Sequence, residues 1–134
     1  MRPTTRNRLF VLVGIAAILA LYGKLRQPTG PREVPSPDGT YVLRSWINNL
    51  QSGGGTFHCV EFEIENRSGS IVHHEQTHAP GSTRWRIGWD DRNRVWLNNV
   101  QTGMEYWELG PDAIWRRSAY DKQSGLTPPK SVAL

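Results

Sequence analysis

The sequence predicts a mainly β protein: an N-terminal transmembrane or signal helix, then a small antiparallel β-meander of about six or seven strands. The sheet is expected to be curled, a sandwich, or partly propeller-like. Three observations carry this. From Thr40 onward apolar residues recur with a period near two rather than 3.6. The 134 residues include Gly 13 times and Pro 9 times, which favours short elements joined by turns. Six Trp, four Tyr and three Phe are enough core material for one small domain.

The first element is a signal anchor over residues 1–26, with an apolar core at 9–23. The run LFVLVGIAAILALYG has no charge and is rich in good helix formers. It is longer than most signal-peptide cores and shorter than the about 20 residues of a full span. Leu25, with Lys24 and Arg26 reaching toward the headgroups, extends it. The small-x-small cleavage pattern is absent after the run, so an uncleaved anchor is preferred over a cleaved signal peptide and a secreted product. Arg2, Arg6 and Arg8 in front of the run place the N-terminus inside and the C-terminal domain outside the cytoplasm.

Charge position decides another question. The formal net charge is +4, yet five positive residues fall in the first 26 positions, where there is no acid. From Gln27 onward 11 Lys or Arg face 12 Asp or Glu. A near-neutral domain gains little from counterion release on phosphate backbones, so no nucleic-acid partner is expected. One Cys excludes an intrachain disulfide and Cys-rich metal frameworks. Cys59 is expected to be a small core residue.

Residues 27–37 form a Pro-rich spacer, and 38–120 the antiparallel β domain. Ser36-Pro37-Asp38-Gly39 is a turn in which Pro sets φ and Gly accepts positive φ. Thr40–Ile47 is a strand and Asn48–Thr56 a Gly-rich loop. In His58–Glu65, Val60, Phe62 and Ile64 share one face and Glu61, Glu63 and Glu65 the other. Asn66–Gly69 turns the chain into a partner strand, Ser70–Gln76. Arg84–Trp89 alternates strictly, with Trp85, Ile87 and Trp89 toward the core. Asp90–Asn93 is a hairpin turn between that strand and Arg94–Val100. Met104–Leu109 follows after Gln101-Thr102-Gly103. Ala113–Arg117 reads as a last short strand or a helical turn, and residues 121–134 as a flexible tail.

Ser36-Pro37-Asp38-Gly39-Thr40-Tyr41-Val42-Leu43 resembles a blade of a TolB-type β-propeller, in which such a turn leads into a strand. Trp89-Asp90-Asp91-Arg92-Asn93-Arg94-Val95-Trp96-Leu97 resembles a second, degenerate copy. The layout is also similar to small bacterial proteins with one membrane anchor and a Trp-rich β domain. The resemblance implies local strand–turn–strand chemistry. A closed propeller needs at least about four blades of four strands each, more than this chain supplies.

His74-Glu75-Gln76-Thr77-His78 is a literal H-E-x-x-H. On a helix, His74 and His78 would reach one zinc and Glu75 would act as base on its bound water. Ala79-Pro80-Gly81 stops a helix at once, so the expected context is a strand, where the two His lie about 13 Å apart. Polar residues on a strand face are the preferred reading, with no metal and no cofactor. Trp96 and Trp107 fall out of phase with Val95, Leu97 and Tyr106, and are the candidate binding surface. The acidic row Glu61, Glu63, Glu65 is expected to pair with Arg84, Arg86, Arg92 and Arg94.

The functional expectation is a single-pass, membrane-tethered extracytoplasmic β domain that binds a protein or envelope component and does no catalysis. The alternatives are a small zinc-dependent hydrolase using His74, Glu75 and His78, and an inhibitor or immunity-type protein.

Overall fold

The computed structural model describes residues 32–48, 50–52 and 55–134. The expected anchor lies outside them. Among the described residues no helix is long and apolar enough to cross a membrane.

The described chain is mainly β. Its strands are β1 (Arg32–Pro35), β2 (Tyr41–Ile47), β3 (Leu50–Ser52), β4 (Gly55–Phe57), β5 (Cys59–Asn66), β6 (Ile71–Pro80), β7 (Trp85–Trp89), β8 (Val95–Asn99), β9 (Gly103–Leu109) and β10 (Trp115–Ala119). They build two four-stranded antiparallel meanders, in the orders β1-β2-β5-β6 and β10-β9-β8-β7, plus the small hairpin β3-β4. Three segments differ from the sequence reading. Arg32–Pro35, expected in the spacer, pairs with β2 because Val34 meets Leu43 and packs on the core. The Gly-rich loop holds a short hairpin. Ala113–Arg117 resolves to a strand, β10, starting at Trp115.

The two sheets pack face to face. Val60, Phe62 and Ile64 of β5 point inward as their alternation requires, and Ile87, Trp89, Val95, Leu97 and Trp107 meet them from the second sheet. Phe62 lies edge-on to Trp107 with ring centroids 4.9 Å apart. Tyr41 stacks on Trp89 at 6.3 Å and meets Trp115 edge-on at 5.6 Å. The Trp89 indole also donates to the Val34 carbonyl at 2.9 Å, so burial leaves no unpaired N–H there.

The outer face of the second sheet is covered as well. Residues 121–134, expected to be a loose tail, fold back across it. Val132 is fully buried, and Asn98 donates to its carbonyl at 2.9 Å. Gly88 permits this approach: a Cβ there would stand 3.0 Å from Ser131 Oγ.

Candidate functional site

Four turns share one hydrogen-bond pattern. In Ser36–Gly39, Asn66–Gly69, Asp90–Asn93 and Gly110–Ala113 the fourth N–H donates to the first carbonyl. The fourth residue has positive φ each time: Gly39 67°, Gly69 82°, Asn93 57° and Ala113 60°. Glycine adopts this at no steric cost, whereas Asn93 and Ala113 carry it as side-chain-bearing residues. Asp or Asn side chains reinforce the turns by accepting from backbone N–H groups two residues on. Gly110-Pro111-Asp112-Ala113 is thus a third relative of the Ser-Pro-Asp-Gly turn. Its Pro-Asp pair was the signal in the sequence.

These turns gather at one end of the molecule. Asn93 Nδ2 donates to Asp38 Oδ2 at 2.6 Å, joining the first turn of each sheet. Arg67 donates to the Gly39 and Asp38 carbonyls, adding the third. Between the joined turns opens a cleft of about 440 Å³, lined by Asp38, Thr40, Tyr41, Arg92, Asn93, Arg94, Glu108, Leu109 and Trp115.

The charges around this cleft divide into fixed and free. Asp38 is held well below the usual carboxylate range by the Thr40 N–H and the Ser36 hydroxyl, helped by Asn93. Burial alone would raise the Asp90 carboxyl. The Arg94 N–H, the Trp96 indole, the Arg94 guanidinium and the Arg92 N–H together outweigh it and lower the carboxyl. That bond and stacking against Trp96 and Tyr106 immobilise Arg94. By contrast the Arg92 guanidinium and the Glu108 carboxylate are exposed, and neither bonds another described residue.

The candidates from sequence fall elsewhere. Trp96 and Trp107 form no binding surface, because both are fully buried and lie on opposite faces of the second sheet. Trp107 fills the space between the sheets against Phe62. Trp96 sits under the C-terminal segment, stacked on Tyr106 at 4.9 Å and edge-on to Tyr120 at 5.5 Å. The phase difference was real, but the second face is itself a small core.

The H-E-x-x-H segment lies within β6. Glu75 turns to the inner face, 3.3 Å from His73 and 3.9 Å from Arg117. His74 and His78 are on the outer face, about 13 Å apart by strand rise. The arrangement lacks the helical convergence that a zinc hydrolase of this type requires. Among the described residues no group of three or more His, Cys, Asp or Glu gathers to hold a metal ion.

His74 instead joins Glu61. Its Nε2 lies 2.5 Å from Glu61 Oε1, Asn48 donates to Glu61 Oε2 at 2.7 Å, and Trp46 stacks on the imidazole at 6.3 Å. Glu61 is therefore buried, unlike the solvated residue the alternation implies. Nor does the arginine row serve the acidic row. Its partner is Arg44 of β2, 3.1 Å from Glu65 and 3.0 Å from Glu33. Cys59 is half-buried at the start of β5.

No family model, curated protein or solved structure matches this chain.

Proposed function

We propose that this protein is a membrane-tethered, extracytoplasmic binding module whose partner docks at the turn end of the β domain. The carrying observation is the open cleft between the two first turns. Its volume is in the range of ligand sites, its frame is rigidly hydrogen-bonded, and its free charges are Arg92 and Glu108. Fixed walls with a few unneutralised groups suit recognition, since little order is lost on docking. The polar groups of the frame are consumed by turn bonds, which argues for binding rather than catalysis. The tether rests on the uncharged run at 9–23, and a chain beginning at Gln27 is expected to leave the membrane fraction.

A photo-crosslinking residue placed at Leu109, on the cleft wall, tests this in native membranes. It should capture a partner that Arg92→Glu loses, while the same probe at Thr102, in the turn between β8 and β9, captures none. Equal capture from both positions, or capture indifferent to Arg92, would refute the reading.

A further inference from the structure

β6 is an edge strand of unusual exposure. Among the described residues its one sheet neighbour is β5. The other edges are guarded. β1 has four residues and ends in Pro35. β10 carries Arg116, paired with Asp112, and Arg117. The C-terminal segment lies against β7. β6 runs for 10 residues without Lys or Arg and exposes Ile71 and Val72. Such an edge is a template for another strand.

The occupant is indicated by the histidines. Within one strand His74 and His78 are too far apart for a common ion. An antiparallel pairing of two β6 strands changes this, if the two-fold axis is perpendicular to the sheet and passes through Gln76. Gln76 then faces Gln76 of the second copy, and His74 faces His78 of the second copy, twice over. The axis keeps all four imidazoles on the outer face. Residues directly opposite have Cβ atoms about 4.5–5.5 Å apart. Two imidazoles at that spacing can reach one zinc ion at about 2.0–2.1 Å each, with water completing the shell. A pairing centred on Glu75 sets His74 against Gln76 and His78 against Val72, so the i, i+4 spacing selects the first register.

The surroundings fit a ligand role. His78 is exposed and bonds no described residue. His74 is bonded through Nε2 to Glu61, which leaves Nδ1 available. A buried carboxylate on the far nitrogen of a ligating imidazole fixes its ring and raises its basicity. Asn48 and Trp46 hold that pair in turn.

We propose that zinc joins two copies of this chain across self-paired β6 strands, at two equivalent sites made by His74 of one copy and His78 of the other. The full chain in mild detergent, titrated with zinc chloride and followed by native mass spectrometry, tests it. The mass should double with two zinc ions per dimer, and EDTA should reverse this. His74→Gln, which keeps a donor for Glu61, and His78→Ala should each abolish zinc-dependent dimerisation with unchanged circular dichroism. Mixing the two variants should restore a heterodimer holding one zinc, because one site then keeps both imidazoles. Zinc held by a monomer would overturn the proposal, as would no zinc-dependent change in mass. So would a mixture that stays monomeric, or a dimer that persists in both variants without metal.

Discussion

Asn93 Nδ2 and Asp38 Oδ2 meet at 2.6 Å, although 55 residues separate them, and this bond joins equivalent turns of two equivalent meanders. It sets the sheets in register and frames the cleft. Asn93 also carries the positive φ of its turn. Two roles therefore fall on one residue, and substitution separates them.

Asn93→Gly removes the amide but keeps the backbone at ease, and should cost about 0.5–1.5 kcal/mol, the net value of one hydrogen bond. Asn93→Ala loses the bond and leaves a Cβ in the left-handed region, so it should cost about 1 kcal/mol more. Urea denaturation of both variants measures the difference. Equal losses would show that the conformation at Asn93 carries no penalty.

Ala113 holds the same backbone position with no side-chain bond to offset it. Ala113→Gly is therefore expected to stabilise the domain by up to about 1 kcal/mol, and Gly39→Ala to destabilise it by a similar amount. Thermal melts of the pair should move in opposite directions.

Trp89→Ala and Trp96→Ala are both expected to destabilise by about 3–5 kcal/mol. Trp89 fills the space between the sheets and holds the Val34 carbonyl; Trp96 fills the space beneath the C-terminal segment and holds Asp90. Removing residues 121–134 should expose Trp96 and not Trp107. Acrylamide quenching of chains in which each is the sole remaining tryptophan distinguishes the two.

His73 supplies a pH dependence. Burial against Phe62 and Trp115 lowers its pKa, which the neighbouring Glu75 carboxylate only partly opposes and His74 reinforces. In the unfolded chain the group titrates near 6.5. The unfolded state then binds more protons as the pH falls through that value, so acidification destabilises the fold until the lowered folded value is passed. His73→Phe should remove this dependence, read as a flatter curve of denaturation midpoint against pH from 7 to 5.

The meanders were legible because their signals are local. Alternation along Val60–Ile64 and Trp85–Trp89 fixes which face is buried, and Asn66–Gly69 and Asp90–Asn93 fix where strands end. What stayed hidden depends on neighbours distant in sequence. Trp96 looked free because its cover, Tyr120 and Val132, comes from a stretch whose Pro and Gly content suggests looseness. Glu61 looked solvated because alternation is blind to Asn48 and His74 closing over it. The cleft arises where Asp38 meets Asn93, a relation that no window of sequence contains.

Everything assigned to the turn end depends on the sheets facing each other in this register. The most direct measurement is the nuclear Overhauser contact between the Phe62 and Trp107 rings, whose centroids lie 4.9 Å apart. The account predicts a strong cross-peak between them in the full chain, together with those linking β2 to β5 and β8 to β9. Strong cross-peaks within each sheet but none between Phe62 and Trp107 would contradict it.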